Sequence, residues 1–221
     1  MNPTHSSHQW DAVKEMMDKE TIHFGDYVSH WFHKTPRRLL HSMSYYKFAA
    51  KLIGKEKRVL DIGCNEGLGT WVLATECGFA KGVDFDEKAI ATAKSNWKEG
   101  PIEFSCEDVL KNSLGEWDAV VNFDVMEHIV PENVPEFLRG ITRCLKQDGI
   151  AIIGTPSLEG QQYASEISKK GHVNVYSGEK LEEQMKQYFT HVFLFGANDQ
   201  VIHTGFLPMA HYLICLACCK K

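Results

Sequence analysis

The apolar positions of this chain change period along its length. Between 39 and 53, Leu39, Leu40, Met43, Tyr46, Phe48, Ala49, Leu52 and Ile53 recur at helical spacing, and Gly54 follows as a stop. Ahead of them, residues 10–33 scatter Trp10, Phe24, Tyr27, Trp31 and Phe32 among polar groups. That pattern predicts one or two helices, broken by Pro36. Residues 1–9 are polar and are expected to fray. From 57 onward short apolar runs alternate with longer helical stretches. Strands are predicted near 57–62, 79–84, 101–105, 118–123 and 149–154, and helices near 67–77, 86–97, 107–112 and 133–146. Strands that alternate with helices imply a doubly wound α/β architecture with a parallel sheet and right-handed crossovers. After Pro156 the rhythm changes. Residues 157–178 form no clean element, a helix is predicted at 179–188, and strands near 190–196 and 209–217 are joined by a loop at 197–208. The predicted strands number seven.

Composition narrows the class. With 221 residues, 43% hydrophobic and 24% charged, the chain is expected to fold as one globular domain with a substantial core. A formal net charge of −5 gives no basic footprint for nucleic acid, and the pair Arg37-Arg38 is too short to make one. The seven cysteines, at 64, 77, 106, 144, 215, 218 and 219, are odd in number and suggest no disulfide framework. A reduced, cytoplasmic protein fits that usage. Cys77, Cys144 and Cys215 fall within predicted elements and read as small hydrophobes. The run Cys215-Leu216-Ala217-Cys218-Cys219 lacks the second ligand pair that a zinc site needs. No apolar run approaches the ~20 residues of a membrane span. The start, Met1 to His8, has no apolar core of the kind a signal peptide carries.

The chemistry concentrates in Arg58-Val59-Leu60-Asp61-Ile62-Gly63-Cys64-Asn65-Glu66-Gly67-Leu68-Gly69-Thr70, a strand, a glycine-rich turn and a helix start. Gly63 and Gly67 let a small ligand lie against backbone, where a Cβ would collide with it. The spacing is Asp-x-Gly-x-x-x-Gly, so the G-x-G-x-x-G register of a nicotinamide-dinucleotide turn is not met. A second signal follows in Gly82-Val83-Asp84-Phe85-Asp86, a strand that ends in an acid. A carboxylate at Asp84 can accept hydrogen bonds from two vicinal hydroxyls. Asp86, just ahead of Glu87-Lys88-Ala89-Ile90, suits a helix N-cap.

Together these two segments resemble the class I S-adenosylmethionine-dependent methyltransferases, from about Lys57 to Pro156. The resemblance implies a seven-stranded, mostly parallel sheet whose last strand enters antiparallel, with the ligand at the carboxyl ends of the strands. It implies S-adenosylmethionine as the cofactor. Asp61, Gly63, Cys64, Asn65 and Gly67 would form its turn, with Asn65 standing where the family usually has glycine and tolerating positive φ. Asp84 would hold the ribose and Phe85 flank the adenine. Asp108 would meet the adenine amino group and the Val109 N–H a ring nitrogen, while Phe123 would lie beside the cofactor. The Asn-Pro-Pro-Tyr type tetrapeptide of enzymes that methylate exocyclic base amines is absent after the fourth strand.

Two shorter stretches resemble ubiquinone-biosynthesis O-methyltransferases. Thr35-Pro36-Arg37-Arg38-Leu39 would bring Arg38 to the carboxylate of the cofactor. Asp124-x-x-Glu127-His128 has oxygen and imidazole donors that would suit Mg²⁺ or Zn²⁺. The preferred reading is plainer: Glu127 and His128 open a helix and make structural hydrogen bonds, with no metal. Three imidazoles, His128, His172 and His203, are candidates for a base, because neutral imidazole takes a proton from a hydroxyl near physiological pH. The expected activity is methyl transfer to a hydroxyl, and secondarily an amine, of a small molecule or saccharide. The alternatives are a protein or RNA methyltransferase, or a catalytically silent subunit that keeps the cofactor site. One methyltransferase domain is expected over 1–221: a helical cap at 1–54, a cofactor-binding half at 55–156 and a substrate-side half at 157–221.

Overall fold

The structure, a computed structural model, describes residues 5–17, 20–112 and 114–221. Three helices come first: α1 (His5–Met16), α2 (Asp26–Lys34) and α3 (Pro36–Ile53). Helix α1 begins inside the stretch expected to fray, while residues 1–4 lie outside the described ones. Pro36 opens α3 rather than only interrupting the pattern, since the first turn of a helix does not use the N–H that proline lacks. Gly54 ends α3 at φ 84°, as its position predicts.

The alternating part follows as β1 (Arg58–Ile62), α4 (Leu68–Glu76), β2 (Phe79–Asp84), α5 (Glu87–Asn96), β3 (Ile102–Cys106), β4 (Trp117–Phe123), α6 (Val134–Arg143) and β5 (Leu145–Pro156). The last part contains α7 (Glu166–Gly171), α8 (Gly178–Lys186), β6 (Phe189–Asn198), β7 (Val201–His203) and β8 (Tyr212–Lys220). The sheet runs β3-β2-β1-β4-β5-β8-β6-β7. Strands β1 to β5 pair in parallel, and β8 lies antiparallel between β5 and β6. The order reverses between β1 and β4, where the carboxyl ends of an open α/β sheet leave a crevice.

Buried strands read as continuous apolar runs because both faces are covered. Successive residues therefore feed opposite cores. Leu60 and Val120 pack with Phe137, Ile141 and Leu181 under α6 and α8. Val59 and Val121 pack with Tyr46, Ala49 and Leu73 under α3 and α4.

Three expectations are corrected. The described sheet has eight strands, not seven, because the predicted 197–208 loop contains β7. Asp199, at φ 59°, makes the two-residue turn from β6 into β7, a conformation that aspartate tolerates. No helix forms at 107–112: the Asp108 carboxylate accepts the Leu110 N–H at 2.9 Å, and a side chain so used favours a turn over a helix. The segment after Pro156 is less irregular than expected, with a 3-10 turn at Glu159–Tyr163 ahead of α7. The cysteines of β8 do not converge: Cys215 and Cys218 are three apart, so they point to opposite faces of the strand. Among the described residues no helix is long and apolar enough to cross a membrane.

Candidate active site

A cavity of about 540 Å³ opens at the carboxyl ends of β1, β2 and β4, beneath α2 and the start of α3. Its floor is the turn between β1 and α4. Gly63, Asn65 and Gly67 all have positive φ, at 80°, 48° and 81°. The N–H groups of Gly63 and Cys64 bond to the Val83 carbonyl at 2.8 and 3.1 Å, which pins the turn to β2. A Cβ on Gly63 would stand 2.2 Å from Val125 Cγ2, so only glycine fits there. Asp84 closes the arrangement: one carboxylate oxygen accepts the Asn65 N–H at 2.9 Å and the other the Asp86 N–H at 2.9 Å. Asp86 itself caps α5 by accepting from Lys88 and Ala89, as predicted.

Most of the residues singled out in the sequence meet in this cavity. Gly63, Cys64, Asn65, Asp84 and Phe85 line one side, and Asp108, Val109 and Phe123 line the next. Arg38 enters from α3, donates to the Tyr27 hydroxyl at 3.0 Å and lies over the Trp31 ring at 4.3 Å. Burial opposes its charge, but Asp124 and Tyr27 outweigh that and raise its pKa. Two expected turn residues do not line the cavity. Asp61 is fully buried behind the turn, where its carboxylate accepts from the Tyr46 and Thr70 hydroxyls at 3.1 and 2.6 Å. Burial pushes its pKa up to about 7. Gly67 N-caps α4, packed against Phe104 and Ala93. Both support the turn rather than present it.

The loop after β4 carries the other half of the site. Asp124 lines the cavity at φ 56°, and its N–H donates to the Tyr212 hydroxyl and the Gly154 carbonyl, each at 3.2 Å. Glu127 and His128 open only a 3-10 turn, Met126–His128. Glu127 is buried and accepts from the Thr155 hydroxyl at 3.2 Å, and burial followed by the Asp124 charge pushes its pKa up to about 8. His128 lines the cavity, and its Nδ1 donates to the Gly171 carbonyl at 2.8 Å, which leaves the lone pair on Nε2.

His172 does not line the cavity, but its ring meets that of His128 edge-on, 5.3 Å between centroids. Its pKa is lowered, first by burial and then by His128. Ligand atoms of Glu127, His128 and His172 all lie within 4.8 Å of one another. Sequence spacing puts Asp124 in that cluster with Glu127 and His128; the structure puts His172 there. His203 stands apart on β7, with Nε2 on Asn198 Oδ1 at 2.7 Å and Nδ1 accepting the Gly205 N–H at 3.1 Å. Both of its ring nitrogens are engaged, and it does not line the cavity.

Several residues of the site carry no signal in the sequence. Glu66 looks like a solvated turn residue, yet it is buried and bonded to backbone N–H groups of residues 25 and 28. Tyr27 and Trp31 were legible only as scattered aromatics. Tyr212 reads as a strand residue, and its hold on Asp124 spans 88 positions.

This geometry is that of the class I methyltransferase fold. A family model described as "Methyltransferase domain" matches residues 31–188, and the chain belongs to that family. A probable S-adenosylmethionine-dependent methyltransferase of Mycobacterium tuberculosis is 28% identical over 156 residues, 71% of this chain and 53% of that protein. The chain thus spans about half the length of that relative. A ubiquinone biosynthesis O-methyltransferase of Rickettsia canadensis is 29% identical over 159 residues, 63% of this chain and 64% of that protein. Among solved structures, a TehB-like S-adenosylmethionine-dependent methyltransferase from Corynebacterium glutamicum aligns with a TM-score of 0.63 at 17% identity, covering 98% of this chain and 96% of that one. Another from Clostridium acetobutylicum gives 0.67 at 13% identity, covering 88% and 98%. At such identities the likeness to solved structures is one of fold.

Proposed function

We propose that the chain is an S-adenosylmethionine-dependent methyltransferase acting on a hydroxyl, and secondarily an amine, of a small molecule or saccharide. The cavity is within the ~300–1,000 Å³ usual for small-molecule sites, and its glycine turn is the kind of cradle that a Cβ would fill. The backbone of Gly63 and Asn65 would take the methionyl and ribosyl parts, Asp84 the ribose hydroxyls, and Asp108 with the Val109 N–H the adenine beside Phe85. Arg38 would hold the carboxylate. When bound, S-adenosylmethionine supplies an electrophilic methyl carbon on a sulfonium leaving group. The protein positions an acceptor in line and keeps water out, using the aromatic wall of α2. His128 is the base in this reading. Its Nδ1 is held by Gly171, so Nε2 can take the acceptor proton as the new bond forms. His128 on the cavity wall, with Nδ1 on the Gly171 carbonyl, is the observation that carries the assignment.

The division of the chain into a cap at 1–54, a cofactor half at 55–156 and an acceptor half at 157–221 belongs to the same reading. A cavity beneath an aromatic helix favours a small acceptor over protein or RNA, and the filled cofactor positions favour an enzyme over a silent subunit. Calorimetry with S-adenosylmethionine and S-adenosylhomocysteine is expected to give a micromolar Kd, ordinary for such ligands. Methyl-labelled cofactor and a panel of hydroxylated metabolites then identify the acceptor. Absence of heat with either ligand would end this reading.

A second reading rests on the Glu127, His128 and His172 cluster, whose donor set suits a divalent transition ion. If it holds one next to the acceptor, exhaustive chelation removes activity and a divalent salt restores it. Full activity after chelation leaves His128 as a plain base.

A further inference from the structure

Helix α2 has nine residues, none of them buried, and its N-cap residue, Gly25, offers no side chain to the free N–H groups of the first turn. A helix this short is marginal unless something outside it satisfies those groups. Glu66 does so from the cofactor turn: one carboxylate oxygen accepts the Gly25 N–H at 2.7 Å and the other the Val28 N–H at 3.2 Å. The carboxylate also puts a negative charge at the positive end of the helix dipole. The fit is specific. A Cβ on Gly25 would stand 2.8 Å from Glu66 Oε1, so the bare backbone of residue 25 is what admits the carboxylate.

The backbone of Glu66 belongs to the turn. It lies between Asn65 and Gly67, both at positive φ, and its carbonyl accepts the Trp97 indole N–H at 3.1 Å. The preceding N–H, that of Asn65, is held by Asp84. At the far end of this linkage α2 delivers Tyr27 and Trp31 to Arg38.

We infer that Glu66 is a positioning residue that makes α2 and the cofactor turn order together, so that a ligand seated on the turn fixes the aromatic wall above it. This rests on the proposed cofactor site. A ligand that stiffens the turn between Gly63 and Gly67 stiffens the cap donor, and by reciprocity an intact cap favours ligand binding. The signature is coupling between two places, which mere support of the fold would not produce.

Hydrogen–deuterium exchange with and without S-adenosylhomocysteine tests it. In the parent, saturating ligand should slow exchange at amides 25–34. In Glu66→Ala those amides should exchange fast with or without ligand, β1 to β5 should stay protected, and ligand affinity should fall about tenfold, the size expected for a lost cap. Glu66→Gln, which keeps one acceptor oxygen, should fall between. Gly25→Ala, which pushes the carboxylate away without altering the turn, should repeat the Ala phenotype and guards against a folding artefact. If the parent binds ligand but α2 exchange does not change, or if Glu66→Ala keeps the ligand-induced protection, the coupling is refuted while the functional reading stands. If the parent binds no ligand, the functional reading fails and the coupling falls with it.

Discussion

The carboxyl ends of β1 and β2 and the carboxyl end of β4 face the same cavity and are built on different logic. At β1 and β2 the polar groups are committed to backbone: Asp84 to the N–H groups of Asn65 and Asp86, and the Gly63 and Cys64 N–H groups to Val83. At β4 the side chains face one another. Glu127, His128 and His172 cluster beside Asp124, and burial followed by like charge raises Glu127 and lowers His172. The first rim is preorganised by the main chain and suits a ligand that is the same in every turnover. The second holds Glu127 and His172, whose protonation responds to neighbours, which suits the place where a proton must move.

The sharpest way to break that contrast is Gly63→Val. The new side chain would meet Val125 at once and force a β-branched residue to φ 80°. Ligand binding should be abolished, with a stability loss on the order of 1–3 kcal/mol from backbone strain. Retained calorimetric binding would mean the turn is not the seat of the cofactor. On the other rim, His128→Ala should lower turnover at least ~100-fold with cofactor affinity near that of the parent, the low end of base contributions. His203→Ala serves as the control and should turn over normally. Equal activity in the two variants would leave catalysis to proximity alone.

A smaller effect is expected for Asp84→Ala. Losing charge-assisted bonds should weaken cofactor binding by roughly 1.5–3 kcal/mol without unfolding the chain. Unchanged affinity would move the ribose contact elsewhere. Smallest is a pH effect behind the first rim. Asp61 has a folded pKa of about 7 against an ordinary value near 3.8, so the folded state binds the extra proton between those limits. Its contribution to stability is complete below the unfolded value and is lost as pH rises through the folded one. The Tm should therefore fall between about pH 4 and pH 7, and Asp61→Asn should flatten that fall. Identical slopes in parent and variant would show that Asp61 is already ionised throughout.

The two rims also differ in how far they could be read in advance. The turn from Asp61 to Gly67, the acid at Asp84 and the cap at Asp86 were legible because each depends on neighbours within a few positions. Strand β2 was predicted with its observed ends for the same reason. The second rim depends on distant segments. His128 and His172 are 44 positions apart and meet only because Gly171 and Glu127 bond across the gap through His128 Nδ1 and the N–H groups of Val173 and Asn174. Sequence spacing groups Asp124 with Glu127 and His128 and offers His203 as a third base. Burial decided against Asp61 as a cavity residue, since nothing local shows which way a strand-end side chain points. Helix 107–112 failed on one side chain, Asp108, which spends its carboxylate on the next turn.

Tyr212 gives the site an order of assembly. It opens β8, which follows every other strand of the sheet in sequence yet lies between two of them, β5 and β6. Its ring stacks on Tyr45 of α3 at 4.4 Å, and its hydroxyl holds the backbone of Asp124. A chain emerging from the ribosome can pair β1 to β5 as they appear, but β6 can join only β7, and the two have no link to β5 until β8 arrives. The loop that carries Asp124 and His128 therefore takes its final shape late. The contacts that shape the rim at β1 and β2 all lie within residues 63–86, while the rim at β4 is held by the last strand.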